Sequence, residues 1–226
     1  MGLNKSKGQM YEWITHTWNP LGGKCPHGCS YCSTNKFYYP HLIKKYSGEV
    51  RLVESELKTN LGTGNFIFVC AQHDLFAEGI PREFIMKIQN HCRKFDNFYL
   101  FQSKNPEGFI TFQHTMPEKT VICTTIETDR WYKEFMGNSP HPYIRTNDML
   151  RIDFKKYVTI EPIMNFTLER MIEIMKAIDP IQINIGADSG NNHLPEPPKE
   201  KILELIAELE KFTVVKQKSN LKRLLK

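Results

Sequence analysis

The chain has 226 residues, a formal net charge of +5, 40% hydrophobic residues and 24% charged residues. This length is sufficient to bury one sizeable core, and the composition is that of an ordinary globular protein. The sequence contains no run of about 18 apolar residues, so it predicts no membrane span and no membrane partner. The first residues also lack the apolar stretch of a secretory signal. We therefore expect a cytoplasmic protein.

Short apolar or β-branched runs alternate with longer amphipathic stretches, which is typical of strand–helix units on a parallel sheet. The runs predict six strands, at residues 13–17, 66–70, 98–101, 120–126, 157–160 and 181–185, and residues 212–215 predict a seventh. The intervening stretches predict helices at residues 52–60, 82–94, 130–136, 168–178 and 199–211. We interpret residues 137–142 as an ordinary surface loop.

Six or seven units are too few for a complete eight-stranded barrel, which needs about 250 residues. The sequence therefore predicts an α/β fold of the open type: a partial (βα)6 TIM-like barrel with mainly parallel strands. No repeat or composition shift marks a second domain. We expect residues 1–226 to form one domain, with a core at about 13–215 and a basic tail at 216–226.

Polar side chains follow the predicted strands. Any one of these polar residues is most simply explained by the solvent exposure of loops. In parallel barrels, however, the loops after the strands meet at one face and carry the functional groups. Together they predict a polar mouth at that face. Its candidate residues after the second to sixth strands are Gln72, His73, Asp74, Ser103, Lys104, Glu127, Glu161 and Asp188.

Three of the six cysteines, Cys25, Cys29 and Cys32, lie close together in a C-x3-C-x2-C arrangement after the first predicted strand. In a reducing compartment such cysteines are better interpreted as ligands than as a disulfide framework. Three thiolates can each ligate one iron of a [4Fe-4S] cluster and leave the fourth iron open to a small chelating molecule. The isolated Cys70 and Cys123 are more simply buried core residues.

Structural zinc is the main alternative for this motif. Zinc would need a fourth ligand, for which His27 and His41 are candidates. Zinc sites are commonly built from paired C-x2-C halves, and the second half is missing here. The spacing, and an aromatic residue before the last cysteine, favour the iron–sulfur cluster.

At these residues the sequence resembles the radical S-adenosylmethionine (SAM) superfamily, whose motif is represented here by Cys25, Cys29, Tyr31 and Cys32. Beyond the motif, the chain is similar to a phage-related family of radical-SAM-like proteins of unknown function. The matching segments lie within residues 13–190, at 17–20, 74–76, 102–106, 126–127, 160–162 and 185–190.

The resemblance implies that a [4Fe-4S] cluster is held by the three cysteines and that SAM lies across the strand ends. Many members bind the SAM amine with a glycine-glycine-glutamate motif, where this chain has Ala71-Gln72-His73-Asp74. That departure leaves open which atoms hold the amine. The cofactor-binding candidates are Gln72 or Asp74 for the amine, Lys104 for the carboxylate, Glu127 or Glu161 for the ribose, Tyr31 for the adenine, and His73 as a further contact.

Radical SAM chemistry would cleave SAM reductively to a 5′-deoxyadenosyl radical that takes hydrogen from a substrate, with an electron donor such as flavodoxin or ferredoxin. The sequence assigns no catalytic residue. A nucleotide or nucleic acid is the favoured substrate, because the tail is basic and the aromatic group at residues 37–39 can stack a base. The tail is more simply interpreted as a solvated terminal helix whose leucines cover the barrel, and the aromatic group can equally be core under the first helix.

The sequence alone is also compatible with two other functions. One is a non-catalytic zinc-binding module for nucleic acid or a protein partner. The other is a protein that binds the cluster and SAM without turning over.

Overall fold

The computed structural model describes residues 2–7 and 10–226. Within them the strands are β1 (Asn4–Lys5), β2 (His16–Trp18), β3 (Leu21–Gly22), β4 (Arg51–Leu52), β5 (Phe66–Val69), β6 (Phe98–Ser103), β7 (Thr120–Thr125), β8 (Lys155–Ile160), β9 (Gln182–Ile185) and β10 (Val214–Gln217). The α-helices are α1 (Pro40–Lys45), α2 (Arg82–Cys92), α3 (Glu107–Phe112), α4 (Lys133–Met136), α5 (Pro142–Leu150), α6 (Leu168–Ile178) and α7 (Lys199–Leu209). Four 3-10 turns occur at Ser33–Lys36, Glu56–Lys58, Gln113–Thr115 and Ser219–Arg223.

The main sheet has eight strands in the order β1-β2-β5-β6-β7-β8-β9-β10. All neighbouring pairs from β2 to β10 are parallel, and only β1 runs antiparallel, to β2. Strands β3 and β4 form a separate antiparallel pair. The predicted α/β fold with a mainly parallel, open sheet is confirmed.

Burial on both faces explains why the strands appear in the sequence as continuous apolar runs. Every residue of β7 is buried, as expected when both faces of a parallel sheet are covered. Helix α6 presents Met171, Met175 and Ile178 to the core at intervals of one turn, and all three are fully buried. The sheet ends are thereby fixed rigidly enough to position the loops that follow them.

Two predicted strands are displaced along the chain. The first begins at His16 instead of residue 13, and Trp13 stacks on Tyr11 outside the strand, with ring centroids 5.3 Å apart. The last spans Val214–Gln217 instead of 212–215. In both cases the parallel neighbour sets the paired residues.

The prediction of a helix at residues 52–60 is wrong. Residues Arg51–Leu52 instead form β4, and only a 3-10 turn, Glu56–Lys58, follows. Two long-range contacts hold that turn: the Trp18 indole donates to the Glu56 carbonyl oxygen at 3.3 Å, and the Lys45 ammonium lies 3.1 Å from the Glu56 carboxylate. Tertiary contacts override the helical pattern here.

Helices α1, α3 and α5 were not predicted. Helix α5 begins at Pro142 inside what we interpreted as an ordinary surface loop, and that interpretation is wrong. Pro142 and Ser139 are buried, because this segment packs beneath the cysteine loop.

The basic tail forms a short 3-10 turn, Ser219–Arg223, instead of a terminal helix. Leu221 is fully buried against the main core, so the tail does cover the barrel. In the described part of the chain, no helix is both long and apolar enough to cross a membrane.

Candidate active-site cavity

A cavity of about 560 Å³ opens where the parallel strands end. Its lining includes all three motif cysteines and six of the predicted cofactor-binding residues, namely Tyr31, Gln72, His73, Asp74, Lys104 and Glu161. Glu127 is not in the lining and lies fully buried. The sheet thus brings together residues that are far apart in the sequence.

The cysteine loop, residues 25–32, rests on a platform segment, residues 135–139. The Ser30 amide donates to the Phe135 carbonyl oxygen at 2.9 Å, and the Asn138 amide donates to that of His27 at 2.7 Å. Gly137 has a φ of +60°, and a Cβ there would overlap the carbonyl oxygen of His27. The platform segment therefore needs glycine at its closest approach to the loop.

The three motif thiols are free and differ in burial. Cys29 is buried, with its Sγ 3.3 Å from the Met136 carbonyl oxygen, whereas Cys25 and Cys32 are half-buried. Burial, reinforced by the negative charge of Asp74, raises the pKa of the Cys25 thiol to about 12. Ligation of a metal centre would have to offset this cost of ionising the thiol.

The described residues contain no group of three or more His, Cys, Asp or Glu close enough to hold a single metal ion. The two histidines considered as a fourth zinc ligand lie apart from each other. His27 is buried, and its Nε2 is 2.8 Å from an Asp74 oxygen. His41 is exposed on α1, where its ring contacts Tyr39.

Asp74 joins three loops in what we call the Asp74 knot. The His27 imidazole and the Ser103 hydroxyl are 2.8 and 2.7 Å from its oxygens. The amides of Lys104 and Phe76 donate to it at 2.8 and 3.0 Å. Burial alone would raise the pKa of Asp74, but His27 and these donors lower it to about 2.

Glu127 binds two cations and a phenol behind the cavity wall, in what we call the Glu127 cluster. The Arg145 guanidinium is 2.7 Å from one oxygen, and the Lys104 ammonium is 2.9 Å from the other. The Tyr31 hydroxyl donates to the same oxygen as Lys104. Burial alone would raise the pKa of Glu127, but Arg145 and Lys104 outweigh it and lower it to about 2.

Tyr31 is held at its ring as well as at its hydroxyl. The Lys104 ammonium lies 4.6 Å from the ring centroid and donates to the hydroxyl oxygen at 2.9 Å. Burial would lower the pKa of Lys104, but the charges of Cys29 and Glu127 raise it above its usual value. The adenine contact of Tyr31 stays a prediction.

Gln72 lines the cavity and carries an unpartnered acceptor. Its Oε1 is buried and accepts no hydrogen bond from the described residues, although its backbone amide is bound to Asn19. A buried acceptor left in this state costs about 1–3 kcal/mol. The neighbouring His73 is also buried, which lowers its pKa and favours the neutral ring, with Nδ1 3.1 Å from the Asp74 carbonyl oxygen.

Glu161 is positioned by the C-terminal tail. The Lys218 ammonium donates to Oε2 at 2.5 Å, and the Asn220 amide donates to Oε1 at 2.8 Å. A Cβ at Gly186 would lie only 2.7 Å from the Glu161 carboxyl group, so glycine leaves room for it. Lys218 lines the cavity too and lies 4.9 Å from the centroid of the Tyr11 ring.

Asp188 shapes the loop after β9. Its carboxylate accepts from the amides of Gly190, at 2.9 Å, and of Asn192. The Lys36 ammonium donates to the Gly190 carbonyl oxygen. The loop after β9 is thereby tied to the segment that follows the cysteines.

Sequence reasoning did not find Arg145, Gly137, Lys218 or Asn220. Arg145 lies on an unpredicted helix, and Gly137 lies in a segment that was interpreted as surface. Lys218 and Asn220 lie in the tail, where basic character was noticed without any indication of a cavity contact. No local signal distinguishes these four residues from their neighbours.

These features define an open, mainly parallel α/β barrel with three free thiols at its strand ends. The chain belongs to the family described as "Protein of unknown function (DUF5131)", whose profile matches residues 9–205. A comparison with curated protein sequences finds no significant match.

Solved structures of spore photoproduct lyase share the fold. A cysteine-to-serine mutant superposes with a TM-score of 0.63 and 10% identity, over 92% of this chain and 78% of that one. A double mutant with bound AdoMet and dinucleoside spore photoproduct gives 0.56 and 10%, over 93% and 66%. The lyase complexed with dinucleoside spore photoproduct gives 0.54 and 11%, over 91% and 64%. At such identities the similarity establishes the fold.

Proposed function

We propose that this chain is a radical SAM enzyme in which Cys25, Cys29 and Cys32 hold a [4Fe-4S] cluster and the adjoining cavity binds SAM. The observation that carries the proposal is the placement of three free thiols around one cavity at the strand ends. Gln72 lines the same cavity, and its Oε1 has no partner among the described residues. Three thiolates are the donor set that leaves one iron of such a cluster open.

The hydrogen bonds within the cavity divide the candidates into those free to bind SAM and those that position others. Gln72 offers its unpartnered Oε1 to the SAM amine. Asp74 already accepts from His27, Ser103 and two amides, so it positions the loops instead. The amine is therefore assigned to Gln72.

Lys104 keeps one donor for the SAM carboxylate, because an ammonium has three and its contacts with Tyr31 and Glu127 use two. Glu161 accepts once at each oxygen and keeps lone pairs for the ribose hydroxyls. Glu127, outside the lining, holds Tyr31 and Lys104 in place.

When bound, the cluster supplies the electron that cleaves SAM to methionine and a 5′-deoxyadenosyl radical, which takes hydrogen from the substrate. An external donor such as flavodoxin or ferredoxin completes the electron supply. All six cysteines are free, which suits a cytoplasmic protein. We also place residues 1–226 in one domain, because Trp18 and Leu221 belong to the same core.

The substrate proposed is a nucleotide or nucleic acid. Spore photoproduct lyase, which shares the fold, has been crystallised with AdoMet and a dinucleoside spore photoproduct. The net charge of +5 is compatible with an anionic substrate.

The test is anaerobic reconstitution with iron and sulfide, followed by dithionite reduction and an assay for 5′-deoxyadenosine from added SAM. Cys29→Ala is compared with Cys92→Ala, which removes a fully buried core thiol outside the cavity. We expect the wild type and Cys92→Ala to bind about four irons and form deoxyadenosine, and Cys29→Ala to do neither. A colourless, zinc-containing protein that leaves SAM intact would support the zinc module and overturn the proposal.

A further inference from the structure

The segment that follows Cys32 forms one edge of the cavity mouth and carries two strongly exposed tyrosines. Ser33, Thr34 and Asn35 line the cavity. A few residues later Tyr38 is 87% exposed and Tyr39 is 65% exposed. We call this pair the tyrosine rim.

The neighbouring Phe37 behaves differently from the tyrosine rim. It is half-buried and packs on Tyr46, with ring centroids 5.4 Å apart. Phe37 therefore anchors the segment to the fold, while Tyr38 and Tyr39 project away from the core. The aromatic group at residues 37–39 is thus part anchor and part surface.

The sequence stretch that carries the tyrosine rim is basic. No Asp or Glu occurs between Glu12 and Glu49 in the sequence. Lys24 is exposed and lines the cavity, and Lys44 is exposed on α1, the helix that begins directly after Tyr39. Exposed aromatic rings in a lysine-containing segment match the chemistry of a nucleic-acid strand, whose bases stack and whose phosphates are anionic.

We propose that the tyrosine rim binds single-stranded nucleic acid, with bases stacked on Tyr38 and Tyr39 and phosphates contacting Lys24 and Lys44, so that one nucleotide enters the cavity. The inference rests on the proposed function in that the cavity is taken as the site of nucleotide modification. A single strand is specified because stacking on a side chain needs an unpaired base face. A base paired within a duplex cannot reach a recessed cavity without leaving the stack.

The test measures fluorescence anisotropy of 5′-labelled dT12, U12 and a 12-base-pair duplex, with the protein both as isolated and after anaerobic reconstitution. The variants are Tyr38→Ala/Tyr39→Ala, Lys44→Gln and the control Tyr143→Ala. Tyr143 is 66% exposed on α5 and outside the cavity lining, so it matches the tyrosine rim in exposure but not in position. Circular dichroism verifies that every variant is folded.

We expect the wild type to bind at least one of the single strands more tightly than the duplex. The double tyrosine variant should bind at least about tenfold more weakly, because each stacked base contributes about 1–3 kcal/mol. Lys44→Gln should reduce the salt dependence by about one unit of slope, and Tyr143→Ala should bind within about twofold of the wild type.

Absence of binding, a preference for duplex, or an equal loss in the double variant and in Tyr143→Ala would overturn the inference. The two proposals fail separately. A protein that forms deoxyadenosine but does not bind the oligonucleotides retains the proposed function and loses the tyrosine rim. A protein that binds the oligonucleotides through the tyrosine rim but leaves SAM intact retains the inference about the tyrosine rim and loses the proposed function.

Discussion

The Asp74 knot and the Glu127 cluster reach the same result by different means. Each contains a buried carboxylate whose pKa is lowered to about 2. The pKa of Asp74 is lowered by a histidine, a hydroxyl and two backbone amides, whereas the pKa of Glu127 is lowered mainly by two cations. The first arrangement fixes the backbones of loops and the second fixes side chains.

Lys104 connects the two regions. Its backbone amide donates to Asp74, and its ammonium pairs with Glu127. The main chain at this strand end is thus set by one carboxylate and the side chain by the other. A change in either carboxylate should displace Lys104, but the energetic cost should differ because Glu127 pairs with a lysine and an arginine, whereas Asp74 pairs with one histidine.

The largest effect is expected for Glu127→Gln. It leaves Arg145, which is fully buried, and Lys104, whose side chain is 15% exposed, without their anion. Breaking a buried ion pair in this way costs about 3–5 kcal/mol. Urea denaturation should show a loss of that size in the free energy of unfolding.

The matched control is Asp96→Asn, which removes the anion of an exposed pair. Its partner Lys119 lies 2.5 Å away, and the two side chains are 71% and 45% exposed. Such pairs contribute at most about 1 kcal/mol. Equal losses in Glu127→Gln and Asp96→Asn would show that the Glu127 cluster does not depend on buried charge.

A smaller effect is expected for Asp74→Asn. The amide keeps one acceptor oxygen but turns a donor toward either the Ser103 side or the His27 side of the knot. Disrupting buried hydrogen bonds of this kind costs about 2 kcal/mol. Alkylation of Cys25 should also accelerate, because a neutral amide binds His27 more weakly than the carboxylate does and so holds the cysteine loop less firmly to the loop after β5. Mass spectrometry after iodoacetamide treatment measures the rate of alkylation.

Ser103→Ala serves as the graded control for this prediction. It removes one donor to the carboxylate, which keeps His27 and two amides. It also removes the hydroxyl oxygen that accepts from the Asn105 amide at 2.8 Å. Its loss of stability should be about half that of Asp74→Asn. If Ser103→Ala costs as much as Asp74→Asn, the knot depends on Ser103 alone rather than on the joining of three loops.

The sequence predicted the sheet well because its signal is local. Parallel strands buried on both faces give continuous apolar runs, such as residues 120–126, and the structure places β7 there. The helix prediction at 52–60 failed because contacts from Trp18 and Lys45 determine that segment. No pattern within the segment itself reports such contacts.

The candidate site also contains features that the local sequence predicts and features that depend on contacts between distant segments. The cysteine spacing and the polar strand ends are local features, and the structure brings them to one cavity. The platform segment contacts the cysteine loop across about a hundred residues, as in the bond from Cys29 to Met136. Arg145 reaches Glu127 from a helix that the periodicity did not reveal. Sequence reasoning thus found groups that face the cavity and missed those that support them.

The smallest expected effect separates the two carboxylates by acid titration. The folded-state pKa of each is about 2, below the ordinary values of 4.5 for Glu127 and 3.8 for Asp74. The unfolded chain therefore binds more protons between these limits, so the stabilisation is complete above the ordinary pKa and is lost as the pH falls toward 2. Because Glu127 begins to lose its contribution at a higher pH, Asp74→Asn, which keeps Glu127, should lose about twice as much stability between pH 5 and 3.5 as Glu127→Gln, which keeps Asp74. The difference in the decline of unfolding free energy should be about 0.6 kcal/mol, measured by urea denaturation at half-unit intervals of pH. Parallel declines in the two variants would mean that Glu127 has no larger share than Asp74 in acid unfolding over this interval.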